Sequence, residues 1–210
     1  MDNITLFDNI EETDIKKMLK CFNSKKRAFK KDSTALSNIR NTNLIGIILK
    51  GTANLVKYDY NGNRTIIEKL SKDSVFGEAF SSNNGEMSLI TTSPCEILFI
   101  DYAQIITRCK KNCPYHTTFI DNMLQLLATK IINMNERIDI LAKRSIRDKL
   151  LAYFDITSRN RLSKTFTLSF SYTDLADYLS IDRSAMMREL KNLRDEGFIE
   201  TKGKRISLKY

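Results

Sequence analysis

One face of a predicted helix near the carboxyl end of the chain carries three cations, one hydroxyl and one thioether. At about 100° per residue, the side chains that share this face are Arg183, Ser184, Met187, Arg188 and Lys191. The planar fork of an arginine can donate to both O6 and N7 of guanine in the major groove. A hydroxyl can contact a base edge or a phosphate, and a methionine can contact a thymine methyl. This face therefore predicts recognition of DNA bases.

The rest of the same helix has the composition of a packing surface. Met186, Leu190 and Leu193 fall together on another side of the wheel. The acidic residues of the segment, Glu189, Asp195 and Glu196, lie off the cationic face or beyond its end. A solvated surface helix would normally intersperse glutamates with its cations, so the segregation favours a polyanionic partner. Protein contacts alone are the alternative use of such a helix.

The segment before this helix predicts a helix-turn-helix. Ser171 followed by Asp174 resembles a capping box, and Asp182 can cap the second helix. About three residues join the two short helices, and Ala176 supplies the small side chain that a close crossing needs. We also count Ser171 among the DNA contacts.

The chain closes on two predicted strands about the turn at residues 202–204, which have the form of a wing. Lys202 and Lys204, with Arg205, are expected to meet the DNA backbone, which positions a protein without specifying sequence. Residues 144–210 contain 14 basic and 9 acidic residues, out of a net charge of +9 for all 210 residues. More than half of the excess charge therefore lies beside the predicted wing and helices, as a DNA footprint requires.

Composition and termini bound the class of protein. With 42% hydrophobic and 28% charged residues, the chain can build a sizeable core. No apolar stretch approaches the ~18 residues that span a bilayer, and the acidic amino terminus does not resemble a secretion signal. Its 4 cysteines are then expected to stay reduced. We expect a cytoplasmic protein with no membrane partner.

The amino-terminal half is patterned as short strands. Strand-like runs at 46–49, 53–60 and 65–70 enclose the turn at Asn61-Gly62, a strong hairpin signal. Two more strands flank Ser93-Pro94. Amphipathic helices are predicted at 13–22 and 102–109. The spacing predicts an antiparallel barrel or roll, and the basic run at 25–31 is interpreted as solvated surface.

A long helix over residues 114–142 follows the strands. Its apolar residues alternate steps of four and three, which places them on one seam that asks for a partner helix. The residues of this seam are Ile120, Leu124, Leu127, Ile131, Met134, Ile138 and Leu141. We expect homodimerisation, with packing on the chain's own domain as the alternative. The next segments are predicted as a helix at 146–154 and a polar link at 159–166.

With these residues in view, the chain resembles the CRP/FNR family of bacterial transcription regulators. The matching stretches are VFGEAF at 75–80, the long helix, and the segment from Asp174 to Ile199 leading into GKRISL. The resemblance implies an α+β fold with an antiparallel, double-stranded jelly-roll-like β-roll at 1–112, a dimerisation helix at 113–143 and a winged helix-turn-helix at 144–210. It also implies a palindromic operator in double-stranded DNA and contact with RNA polymerase. The base-contacting positions of the family match Arg183, Ser184 and Arg188.

The resemblance places an effector pocket in the roll. Its expected residues are Phe76, Gly77, Glu78, Ala79, Met87, Ser88, Met134 and Asn135. In cyclic-AMP binders of the family an Arg-Ser pair holds the phosphate, and here that pair is Met87-Ser88. A phosphate without its guanidinium loses its best charge-assisted partner. We therefore expect an effector other than cyclic AMP, or regulation without an effector.

The sequence also departs from the family in the helix-turn-helix. Ser184 stands where a glutamate is common, so the base preference of the operator is expected to differ. Ser180 replaces the usual glycine of the turn and must adopt its geometry at some cost.

The cysteines and the single histidine offer a weaker alternative. Cys109 and Cys113 are close in sequence, but an iron–sulfur cluster usually needs four ligands. His116 near the start of a helix is interpreted as a surface or capping residue rather than a haem ligand. We find no catalytic motif and predict no enzyme and no bound metal. A haem or thiol redox sensor, and a sensor module that acts on a protein partner, remain alternatives to the effector-responsive regulator.

Overall fold

A computed structural model describes residues 6–37, 44–77, 87–106 and 115–210. The chain divides into two compact units, Met1–Thr129 and Lys130–Tyr210. Across the described ranges, no helix is both long enough and apolar enough to cross a membrane.

The first unit contains two four-stranded antiparallel sheets, as the strand pattern predicts. One sheet has the order β1-β8-β3-β6 and the other β2-β7-β4-β5. The strands are β1 (Lys25–Phe29), β2 (Thr34–Leu36), β3 (Leu44–Lys50), β4 (Ala53–Tyr58), β5 (Arg64–Leu70), β6 (Val75–Gly77), β7 (Met87–Thr91) and β8 (Cys95–Asp101). Ser93-Pro94 lies where the chain leaves one sheet and enters the other.

The hairpin predicted at Asn61-Gly62 is confirmed, because β4 and β5 pair antiparallel on either side of it. Asp59 organises the turn. Its carboxylate accepts from the backbone N–H groups of Asn61 and Asn63, both at 2.8 Å. The side-chain amide of Asn63 also donates to this carboxylate at 2.8 Å, and it, together with the backbone N–H groups, holds the pKa of Asp59 below its usual value.

Apolar residues fill the space between the sheets and cover one outer face. Ile48, Leu70 and Ile97 belong to the inner cluster, and each is fully buried. The second cluster is formed by β3 and β8 with helix α1 (Glu12–Cys21) and the start of helix α3 (Tyr115–Leu141). The roll therefore has an inner core and an outer one.

The basic run at 25–31 lies on the surface, as interpreted, and part of it is also a strand. Its side chains are exposed except for the half-buried Phe29, and Lys25–Phe29 forms the edge strand β1 paired with β8. Lys26 gives an ion pair with Glu96 on β8 at 2.5 Å. A strand this rich in lysine lacks the alternating apolar pattern by which strands are recognised.

The helices of the first unit agree with prediction within the described residues. Helix α1 begins and ends one residue before the predicted 13–22. Helix α2 covers Tyr102–Ile106, and the remainder of the predicted 102–109 lies outside the described residues.

The second unit joins the end of α3 to three helices and a three-stranded sheet. These are α4 (Ile146–Arg161), β9 (Thr165–Thr167), α5 (Tyr172–Leu179), α6 (Arg183–Asp195), β10 (Ile199–Lys202) and β11 (Arg205–Leu208). The sheet has the order β10-β11-β9.

The polar link predicted at 159–166 is wrong. Helix α4 continues to Arg161, where Leu162 ends it in a left-handed conformation. The chain then enters β9, whose Phe166 pairs with Ile206. Polar residues at the exposed end of α4 hid the helix, and a three-residue strand is too short to show a period.

Candidate nucleic-acid interface

Helices α5 and α6 form the predicted helix-turn-helix, and each begins at its predicted cap. The Ser171 hydroxyl accepts from the Asp174 N–H at 3.0 Å and donates to the Asp174 carboxylate at 2.7 Å. Asp182 accepts from the Ala185 N–H at 2.7 Å. A capping side chain satisfies backbone donors that have no partner within the helix. The two helix starts are therefore fixed by local sequence.

The turn between the helices contains the strain expected at Ser180. This residue caps α5 in the left-handed region, with φ of 51° and ψ of 55°. The Ile181 N–H donates to the Ala176 carbonyl at 3.1 Å and closes the turn. A non-glycine residue pays for this conformation in free energy, so the packing of the two helices must hold it there.

Helix α6 separates its residues into the two faces that its sequence predicts. Met186 and Leu193 are fully buried and Leu190 is 5% exposed. The exposed residues on the other face are Arg183, Ser184, Met187, Arg188 and Lys191. The buried stripe packs the helix against its domain, and the cationic face is exposed to solvent.

Two glutamates, one within α6 and one at its end, are held away from this face by a residue of α4. Arg147 donates from Nε to Glu189 at 2.6 Å and from Nη1 to Glu196 at 2.9 Å. The guanidinium keeps the pKa of Glu196 below its ordinary value. Sequence reasoning placed the acids off the face but missed Arg147, since the partners lie 42 and 49 positions apart.

The predicted wing is a hairpin of β10 and β11, with Lys202 and Arg205 as its last pair. Gly203 occupies the turn with φ of 59°. Lys202 and Lys204 are exposed. The Tyr172 hydroxyl at the start of α5 donates to the Gly203 carbonyl at 2.6 Å. This bond, which the sequence did not indicate, ties the wing turn to the first helix of the motif.

Ser171, also predicted to contact DNA, is half-buried. Both hydrogen bonds of its hydroxyl within the chain go to Asp174. In this arrangement its main role is to begin α5.

The residues expected to hold an effector are placed differently from one another. Phe76 is 1% exposed, and its ring lies over Gly46, where a Cβ would come within 2.1 Å of it. The ring also meets Phe99 edge to face at 6.2 Å. Gly77 is buried with φ of 151°. Glu78 and Ala79 lie outside the described residues.

Met87 belongs to a small apolar cluster in the roll. It is 8% exposed and packs with Leu55, and Leu36 and Ile67 lie against the pair. Ser88, next to it on β7, is half-buried. A thioether among aliphatic side chains therefore occupies the position that the family resemblance aligns with an arginine of cyclic-AMP binders.

The seam of α3 is unevenly covered within the chain. Ile120 and Leu127 pack against the outer core of the roll, and Leu141 is half-buried. The others are more than half exposed: Leu124 59%, Ile131 59%, Met134 56% and Ile138 60%. Asn135, expected in the effector pocket with Met134, is also exposed. Packing on the chain's own domain therefore accounts for only part of the seam.

The alternative redox and haem residues show ordinary contacts where they are described. His116 Nε2 lies 2.8 Å from the Ile105 carbonyl, and its ring meets Phe22 edge to face. Cys95 is buried, and burial raises the pKa of its thiol. Cys109 and Cys113 lie outside the described residues. In the described part of the chain, no three His, Cys, Asp or Glu residues are grouped so as to hold a metal ion.

Two family models match the two regions. The model of the Crp-like helix-turn-helix domain matches residues 146–209. That of the cyclic nucleotide-binding domain matches residues 26–112. No curated protein sequence is a significant match.

Solved structures share the fold at low sequence identity. The c-di-GMP responsive regulator CLP of Xanthomonas campestris has a TM-score of 0.73 and 16% identity, covering 94% of this chain and 99% of that one. CprK complexed with OCPA has a TM-score of 0.70 and 14% identity, covering 92% and 91%. A CooA variant of Carboxydothermus hydrogenoformans has a TM-score of 0.69 and 15% identity, covering 92% and 86%.

The two matched domains occur in the same order as the roll and the winged helix-turn-helix described above. The similar structures are those of transcription regulators rather than enzymes. The chain belongs to the Crp/Fnr family of DNA-binding transcription regulators, with a cyclic nucleotide-binding-type sensory domain before its helix-turn-helix.

Proposed function

We propose that the protein binds a palindromic DNA operator in a sequence-specific manner through helix α6. The observation that carries the proposal is the outward face of α6, where Arg183, Arg188 and Lys191 are exposed and the nearby glutamates face Arg147. Arg183 and Arg188 are assigned to guanine edges, and Met187 to a thymine methyl. Ser184 contacts a base edge or a phosphate.

The wing supplies backbone contacts. Lys202 and Lys204 flank the wing turn, which Tyr172 ties to α5. Ammonium groups on a short hairpin suit phosphates, which fix register on the duplex and add salt-dependent affinity. The wing therefore contributes to binding at every sequence.

A homodimer presents two such modules to the two halves of the operator. Leu124, Ile131 and Ile138 are about 60% exposed on one stripe of α3. Exposed apolar side chains that recur every seven residues suit a second copy of the same helix. The operator is then expected to repeat about one helical turn apart.

Contacts at the end of α3 can couple a movement of this helix to the orientation of the helix-turn-helix. Arg137 lies 4.5 Å from the centre of the Tyr178 ring on α5 and donates to the Tyr178 carbonyl at 3.3 Å. Tyr178 in turn stacks on Phe170 with ring centroids 4.9 Å apart. A signal that moves α3 would bias the spacing of the two α6 helices, as a shift between existing populations.

The roll is proposed to respond to something other than cyclic AMP. Met87 packs with Leu55 and places a thioether, not a guanidinium, at the position that the family resemblance assigns to the phosphate, with Lys57 as its cross-strand neighbour. Proteins of the same fold are described with different small molecules, since CLP is called c-di-GMP responsive and CprK is complexed with OCPA. Titration calorimetry with cyclic AMP is expected to show no heat of binding, and micromolar affinity would overturn this part of the proposal.

A gel shift on genomic fragments tests DNA binding itself. The full-length protein is expected to retard a small subset of fragments in the presence of excess competitor DNA. Substituting Arg183 and Arg188 together with alanine should abolish that selectivity. If no fragment is retained in preference to competitor, the protein acts through a protein partner instead.

A further inference from the structure

Arg147 links helix α4 of the winged helix-turn-helix to helix α6. It lies in the first turn of α4, two residues after the Ser145 cap, and its guanidinium reaches Glu189 of α6 and Glu196 at the end of that helix. Nε donates to Glu189 at 2.6 Å, and Nη1 and Nη2 donate to the two oxygens of Glu196 at 2.9 Å and 2.5 Å. One planar group thus spans two carboxylates.

The two acids mark one line along α6. They are seven residues apart, so at 3.6 residues per turn they differ by only about 20° around the axis and about 10 Å along it. On the same wheel this line lies roughly 160° from the centre of the face that carries Arg183 and Arg188. Arg147 therefore holds α6 from the side opposite its outward face.

The buried stripe and the ion pairs constrain α6 in different ways. Burial of Met186, Leu190 and Leu193 sets which side of α6 faces the domain, but because apolar contacts are non-directional they resist a small rotation only weakly. A guanidinium fork donates along fixed directions. A rotation of α6 by a few tens of degrees would break the fork, and it would also turn Arg183 and Arg188 away from their bases.

We propose that Arg147 is a positioning residue for DNA recognition, because its fork to Glu189 and Glu196 sets the rotation of α6 about its own axis. This inference rests on the proposed binding of an operator by α6. It assigns part of the sequence specificity to a residue that need not touch DNA.

Neighbouring groups hold the arrangement of Arg147 with Glu189 and Glu196, which we call the clamp, in place. Asn192 donates to the second oxygen of Glu189 at 3.1 Å, which leaves that carboxylate little freedom to turn. The guanidinium lies 6.0 Å from the centre of the Phe198 ring, at the entrance to β10. Glu196 and Glu189 raise the pKa of Arg147 above its ordinary value, so the group keeps its charge.

The test compares specific with general binding. The wild-type protein is first used to select a duplex from a randomised pool. The discrimination ratio is the dissociation constant for a scrambled duplex divided by the dissociation constant for the selected duplex, both measured at the same salt concentration. Arg147→Met is expected to lower this discrimination ratio about tenfold, which is the cost of one misplaced base contact. Arg147→Lys, which keeps the charge but not the fork, should lower it to a smaller extent.

A matched control separates rotation from charge. Arg159→Met removes a cation from the exposed end of the same helix, and it is expected to leave the ratio within about twofold. Glu196→Gln removes a negative charge, whereas the two arginine-to-methionine variants remove a positive one. It should strengthen binding to the scrambled duplex, because an acid is lost, and yet lower the discrimination ratio. A residue that only stabilises the fold would not separate these two quantities.

The outcomes are distinct. If Arg147→Met lowers only the melting temperature and leaves the ratio unchanged below that temperature, the inference is overturned. Should that variant fail to fold, an unchanged ratio in Glu196→Gln overturns it equally. If the wild-type protein selects no duplex at all, the proposed function fails before the clamp is tested.

Discussion

Helix α6 and the interior of the roll differ in the side chains that they present to an anion. In α6 three cations share an exposed face, and an arginine on the neighbouring helix binds the acids. In the roll, the position that the family resemblance aligns with the arginine of cyclic-AMP binders is Met87, buried beside Leu55 and paired in register with Lys57 of β4. The helix-turn-helix therefore presents guanidinium groups at its surface, whereas the roll buries a thioether at the position expected to hold a phosphate.

The link between the regions is where the largest effect is expected. In the proposed dimer, Ile131→Lys would place two ammonium groups in the seam, which costs on the order of 3 kcal/mol or more. Sedimentation should show monomers at concentrations where the wild type is dimeric, with weaker operator binding and an intact roll. Asn133→Lys, exposed on another side of α3, is the matched control. An Ile131→Lys variant that stays dimeric would place the interface elsewhere.

The comparison predicts that an arginine at position 87 destabilises the roll, whereas the arginines of α6 are proposed to bind DNA. Met87→Arg would bury a guanidinium beside Leu55, Leu36 and Ile67, at about 2–4 kcal/mol of unfolding free energy. Met87→Leu keeps the volume and should cost less than about 1.5 kcal/mol. Chemical denaturation measures both. Equal stability of the two variants would show that the cluster has room and partners for a cation.

Removal of one cation from the outward face should change specificity. Arg188→Ala is expected to lower affinity for the selected duplex by about 1–3 kcal/mol and to relax a preference for G·C at one position. Binding to single-base variants of the duplex measures the effect. Unchanged discrimination would remove Arg188 from base recognition and weaken the contrast with the roll.

The smallest effect is expected at the wing. Lys204→Ala should weaken binding to all duplexes alike and reduce the slope of log affinity against log salt by about one unit. A salt titration on the selected and scrambled duplexes measures both terms. A loss confined to the selected duplex would assign Lys204 to base recognition instead.

Local signals explain which parts of the structure were predictable. Ser171 and Asp182 are caps that act within three residues, and both helix starts follow from them. The two faces of α6 follow from its period. Strand β9 and the end of α4 were missed because their pattern is short or polar. Tyr172 and Arg147 were missed because their partners are distant in sequence, although the seven-residue spacing of Glu189 and Glu196 is a trace of the clamp.

The sensory region was less predictable for a physical reason. The family resemblance places Phe76 and Met87 near an effector, but their burial depends on side chains that arrive from other strands. Phe76 packs over Gly46 of β3, and Met87 meets Leu55 of β4. Sequence spacing indicates which positions are near a pocket and not which side chains fill it.

Selection of duplexes from a randomised pool by the full-length protein tests the central claim most directly. The claim predicts a palindrome with half-site centres about 10–10.5 base pairs, or a whole multiple of one turn, apart. It also predicts G·C pairs at positions that Arg183→Ala and Arg188→Ala no longer distinguish. Enrichment of no sequence, or of one that both variants bind as well as the wild type, would contradict the assignment of α6 as the element that recognises DNA.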